Sequence, residues 1–152
     1  MRPLTSRRLT PSETGLACEM FGDGLDAARV RILALPVWPR AFVAGPSLIA
    51  WPAVAARFDF GAAPLLVQAT FVHELTHVWQ AQRGIFLPLA KLRAGDSARS
   101  YAYDLPCGAP FEALNIEQQA MIVQHAFLAS RGAPAPFARR LYTELESGWR
   151  SV

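Results

Sequence analysis

The residues best placed to do chemistry are His73-Glu74-Leu75-Thr76-His77. Side chains four apart on a helix share a face, so both imidazoles can reach one metal ion, and Glu74 beside them can contact a water at an open coordination position. Zinc lowers the pKa of such a water toward about 7, and a nearby carboxylate takes its proton as it attacks a polarised carbonyl. One Zn²⁺ per chain is therefore expected, with His73 and His77 as ligands and Glu74 as general base. The chain has only three His, and two of them fall at this spacing. Phe71, Val72, Leu75, Val78 and Trp79 make the surrounding helix apolar nearly all round, so two His and a Glu buried on it need partners.

A catalytic zinc site normally has three protein ligands. A third His six residues after the second, with a Gly midway between, is excluded because those positions are Arg83 and Gln80. The downstream candidates are Asp104, Glu112, Glu117 and His125. Glu117 is preferred, since it stands near the start of a second long helix and the small Ala120 follows at i+3, which lets that helix approach the first closely. A first-turn acid that merely complements the helix dipole is the bland alternative. Asp104, at the end of an expected strand, is the runner-up ligand. His125 is turned about 80° from Glu117 around the helix axis and reads as an ordinary surface or core-edge residue. A hydroxyl of Tyr101 or Tyr103 is a candidate oxyanion stabiliser, although two strand aromatics packing on either face is the plainer reading. Trp38, Trp51 and Trp79 are assigned no chemistry.

Certain elements must position these groups. Thr10-Pro11-Ser12-Glu13 is a capping box with Pro at the first helical position, which predicts a helix from about Pro11 to Phe21. Val30 to Leu35, Ala41 to Ala44 and Leu48 to Trp51 read as strands of a small antiparallel sheet, with Gly45-Pro46 as a turn. The metal-bearing helix is predicted from Pro64 to Arg83, ending at Gly84. A shorter helix is expected over Leu87 to Ala94 and a loop over Gly95 to Ser100. Tyr101 to Leu105 alternates like a strand closed by Pro106. The second long helix runs from Ile116 to Ser130. A last helix opens at Pro136 and reaches about Glu146, with Phe137, Leu141 and Leu145 facing inward.

The chain is 52% hydrophobic and only 18% charged, which fits one α+β domain over residues 1–152 whose surface is less charged than usual, part of it covered by a partner. The basic residues are scattered and almost all Arg, so there is no nucleic-acid footprint. Charges and prolines interrupt every apolar stretch, and no membrane span is expected. Cys18 and Cys107 are too few for a disulfide framework and read as free thiols of a reducing compartment. The basic N-terminus lacks an apolar run of signal length, which predicts a cytoplasmic protein without Sec-type export.

The run His73 to Gln80, followed by Asn115-Ile116-Glu117-Gln118-Gln119-Ala120, resembles the gluzincin pattern, in which a Glu on a second helix completes the metal site. It is closer still to small bacterial proteins labelled Vgr-related, similar to zincin-like domains found near type VI secretion and other contractile injection systems. Phe21-Gly22-Asp23, Asp26 to Ile32 and Tyr101 to Leu105 share in the resemblance. It implies a minimal zincin, with a small sheet packed on the metal helix and a substrate lying extended along the edge strand. One departure is that Ile116, not Asn, precedes Glu117, with Asn115 one place earlier.

Two function classes follow. In the first, the chain is a zinc metallopeptidase cleaving a protein or peptide, with Zn²⁺ on His73, His77 and Glu117. In the second, it binds metal without catalysis and serves as an adaptor or assembly module of a secretion system, through which it could leave the cell. Glu74 favours the first, because a structural site gains nothing from a carboxylate beside an open position.

Overall fold

A computed structural model of the chain describes residues 2–106 and 108–150. Its architecture is α+β, a small four-stranded sheet with six helices. Strand β1 (Ser6–Arg8) leads into helix α1 (Pro11–Phe21). The predicted capping box is present, with the Thr10 hydroxyl accepting from the Glu13 N–H and the Glu13 carboxylate accepting from the Thr10 N–H. That carboxylate is fully buried and is gripped by both terminal nitrogens of Arg7, at 2.7 and 2.8 Å, and by the Phe60 N–H at 2.9 Å. One acid thus ties β1, α1 and the 3₁₀ turn Phe60–Ala62 together.

The sheet contains β1, β2 (Arg31–Leu35), β3 (Phe42–Val43) and β4 (Leu48–Pro52), in the order β1-β2-β4-β3. Its outer pairs are antiparallel, but β2 and β4 run parallel, with Ile32 opposite Ile49. The sheet is therefore mixed where a purely antiparallel one was expected. The physical reason is burial: Ile49, Ala50 and Trp51 are all buried, so β4 takes the inner place and leaves two-residue β3 at the edge. β1 was not foreseen, since Ser6-Arg7-Arg8 has no strand composition and is extended only through its pairing with β2.

Helix α2 (Leu65–Gln82) packs chiefly against α5 (Ile116–Ser130). Gly84 and Gly132 follow these helices at φ +90° and +72°, a left-handed conformation that a Cβ would disfavour. Ala69 and Ala120 are completely buried, as close approach of two helices requires. Between them lie α3 (Leu87–Ala94) and the single turn α4 (Ala98–Tyr101). Tyr101 to Leu105 is not a strand. It has no partner in the sheet; instead the Gln118 side-chain amide donates to the Ala102 carbonyl at 2.6 Å, and that of Asn115 to the Ser100 carbonyl at 3.1 Å. The last helix, α6 (Arg139–Leu145), starts later than expected and presents Tyr142 to the core, with Leu141 only half-buried; Trp149 follows beyond a 3₁₀ turn. Cys18 is free and exposed, while Cys107 lies outside the described residues.

Candidate metal centre

Helix α2 buries its middle turns between sheet and α5, which takes His77 to 1% exposure and Glu74 to 7%. His73 and His77 lie one turn apart, ring centroids 4.9 Å apart. Helix α5 begins at a capping box in which Asn115 Oδ1 accepts from the N–H groups of Glu117 and Gln118, both at 2.9 Å. This start places Glu117 opposite the imidazoles. Its Oε2 stands 3.4 Å from His73 Nε2 and 3.3 Å from His77 Nε2. Among the described residues these three form the group of His, Cys, Asp and Glu able to hold a metal ion, their ligand atoms all within 4.8 Å of one another.

The donor set fits zinc. Ligands about 2.05 Å from an ion, at tetrahedral angles, lie about 3.3 Å from one another, which is the spacing of Oε2 from each imidazole nitrogen. His77 Nε2 is buried with no hydrogen-bond partner, a costly state for a polar atom unless a ligand completes it. The far nitrogens are fixed. Gln119 Nε2 donates to the Phe111 carbonyl at 2.9 Å, so Gln119 Oε1 accepts from Gln80 Nε2 at 2.9 Å, and Gln80 Nε2 also donates to the Ile116 carbonyl. Gln80 Oε1 must then face His77 Nδ1, at 2.8 Å. Nδ1 carries the proton and Nε2 keeps its lone pair, the tautomer a metal ligand needs. Gln124 Oε1 lies 3.1 Å from His73 Nδ1.

Electrostatics divide the two carboxylates. Burial pushes the Glu74 carboxyl up, with His73 and Lys91 opposing, and its Oε2 has no hydrogen-bond partner. Burial also acts upward on Glu117, but in the metal-free site the facing imidazoles of His73 and His77, where they carry a proton on Nε2, and the Lys91 charge outweigh it and hold the carboxyl well below the usual range. Glu117 is thus an anion at neutral pH, as a ligand must be, while Glu74 has the higher proton affinity that suits a base.

Both open onto a cavity of about 830 Å³. Its walls come from Trp38 to Phe42 and Trp51, and from Lys91, Leu92, Asp96 and Tyr101. Edge strand β3 therefore contributes to the rim. Tyr101 donates to Asp96 Oδ1 at 3.0 Å, and burial, the Glu117 charge and that bond push its pKa up to about 12, so it keeps its proton. Tyr103 does not reach the cavity. Its hydroxyl lies 2.6 Å from His125 Nδ1 and 2.8 Å from the Tyr142 hydroxyl, linking α5 to α6. Asp104 and Glu112 are exposed, and they and the half-buried His125 lie outside the triad.

Sequence reasoning missed Gln80, Gln119, Gln124 and Lys91. A glutamine amid an apolar helix three residues after His77, and the lone lysine of the chain, were the available signals.

No protein-family model matches the chain. It is 34% identical, over 133 residues covering 80% of its length, to the type VI secretion system spike protein VgrG2b of Pseudomonas aeruginosa, of which it spans 13%. It is also similar to the solved structure of the effector domain of Pseudomonas aeruginosa VgrG2b, with a TM-score of 0.71 and 31% identity, covering 97% of this chain and 85% of that one.

Proposed function

We propose, from the premise that this chain belongs to the family of the VgrG2b effector domain, that it is a zinc-dependent peptide-bond hydrolase deployed through a type VI secretion system. The observation that carries this reading is a His-His-Glu triad, with His77 and Glu117 buried and the Glu117 oxygen at tetrahedral spacing from each imidazole, and an unpartnered carboxylate oxygen of Glu74 in the same cavity. His73, His77 and Glu117 would hold Zn²⁺. When bound, zinc supplies Lewis acidity for the carbonyl and for the attacking water.

The remaining steps belong to the side chains. Glu74 takes a proton from a water as its oxygen attacks the carbonyl carbon. It then delivers that proton to the leaving nitrogen as the C–N bond breaks. Tyr101 keeps its proton at neutral pH and can donate to the oxygen that gains charge, once its hydroxyl turns from Asp96. General base catalysis contributes about 10²–10⁴-fold, or about 3–5 kcal/mol of barrier.

One observation favours a second reading, a metal-stabilised adaptor: the similarity to a spike protein, itself part of the secretion apparatus. Among the described residues no helix is long and apolar enough to cross a membrane, and neither reading requires one. A proteome-wide cleavage profile of wild type against Glu74→Gln decides between them. The hydrolase predicts cleavage sites that vanish in the variant. The adaptor predicts no cleavage by either protein and equal support of secretion by both.

A further inference from the structure

We infer that Lys91 is a positioning residue for the metal centre, holding one oxygen of Glu117 so that the other alone faces the two imidazoles. This rests on the metal reading above. The two carboxylate oxygens have different neighbours. Oε2 is 3.3–3.4 Å from both Nε2 atoms, whereas Oε1 is 3.5 Å from Lys91 Nζ. A carboxylate beside a divalent ion can bind through one oxygen or close on it with both, and the second mode fills a coordination position that chemistry needs open. An ammonium on Oε1 favours the one-oxygen mode.

The residue type supports this. Every other basic residue of the chain is arginine. An arginine here would grip the carboxylate with two parallel N–H···O bonds and draw Oε2 from the ion, while the compact ammonium of lysine engages one oxygen as a point charge. The position supports it too. Lys91 lies on α3, a separate element from both ligand helices, and lines the cavity with a side chain that is 40% exposed. It can thus be changed without opening the core.

The test uses the full chain loaded with Co²⁺, whose visible absorption weakens as coordination rises from four to five, together with chelator competition for Zn²⁺. Wild type should show an intense four-coordinate spectrum. In Lys91→Met the bands should weaken severalfold and Zn²⁺ affinity rise threefold or more, as Glu117 closes on the ion with both oxygens and a nearby positive charge is removed. Lys91→Arg should lose Zn²⁺ affinity at least tenfold, about 1.4 kcal/mol. A merely structural lysine would lower the melting temperature of the metal-free protein and leave the spectrum alone. An unchanged Lys91→Met spectrum, or a Lys91→Arg affinity within twofold of wild type, overturns the inference while leaving the hydrolase reading standing. A wild type that takes up neither ion overturns both.

Discussion

Replacing Gln80 by Leu keeps the volume of a fully buried side chain and deletes three hydrogen bonds at once, to His77 Nδ1, the Ile116 carbonyl and Gln119 Oε1. Two consequences separate. Each buried group left unsatisfied costs about 1–3 kcal/mol, so the metal-free protein should melt several degrees lower. The second consequence is specific to the metal. With no acceptor on Nδ1, the His77 ring loses the bond that fixes its tautomer and orientation, and loss of such an outer partner typically lowers metal affinity by about 10–100-fold. That corresponds to about 1.4–2.7 kcal/mol. Gln124→Leu should cost less, because its contact with His73 is longer, at 3.1 Å, and only partly buried. The assay is zinc competition with a chromophoric chelator, run beside thermal melting of the metal-free proteins. A Gln80→Leu variant that melts lower yet binds zinc within twofold of wild type would refute the reasoning, and Gln80 would then be a core residue only.

Glu117→Ala should abolish tight zinc binding, whereas Asp104→Ala and Glu112→Ala should leave it unchanged, as equilibrium dialysis can show. Tyr101→Phe should lower kcat by roughly 100-fold with little change in KM, as loss of one donor to a developing oxyanion does, while Tyr103→Phe should spare kcat and lower the melting temperature; steady-state kinetics on a peptide identified by the cleavage profile checks both. Asp59 accepts from Ser12 at 2.5 Å, Thr10 at 2.8 Å and the Gly61 N–H at 3.0 Å, and these bonds, the Ser12 hydroxyl foremost, hold its carboxyl below the usual aspartate range. Its folded pKa is depressed, so its contribution to stability is present above about pH 4 and fades as pH falls through the lower folded value. The melting-temperature gap between wild type and Asp59→Asn should accordingly be open at neutral pH and close in acid.

Legibility followed locality. The three longest helices were readable because their signals are short-range: the Thr10–Glu13 capping box, the apolar run around His73, and the glycines Gly84 and Gly132 beyond the ends. The parallel pairing of β2 with β4 was not, because it depends on which of several apolar segments reaches the centre of the sheet. Ser6–Arg8 is extended because of a partner 25 residues away, between Arg7 and Ile32 for instance, and carries no signal of its own. Tyr101 to Leu105 shows the reverse error, since alternation without a partner strand leaves the backbone to be satisfied by Asn115 and Gln118. Within the site, the spacing of His73 and His77 is a local property of a helix, and Glu117 could be chosen only because two imidazoles create a need. Gln80, Gln119 and Lys91 also act through contacts of long sequence separation, such as the 36 residues between Gln80 and Ile116, so the spacing of Gln80 from His77 and the rarity of lysine mark residues without naming their partners.

The most direct measurement is elemental analysis of protein purified without added metal, for wild type and His77→Ala. The predicted result is one zinc per wild-type chain and none in the variant, because each ligand supplies a large share of the site's affinity. A zinc-free wild type, with a His77→Ala variant that melts no lower, would contradict the account.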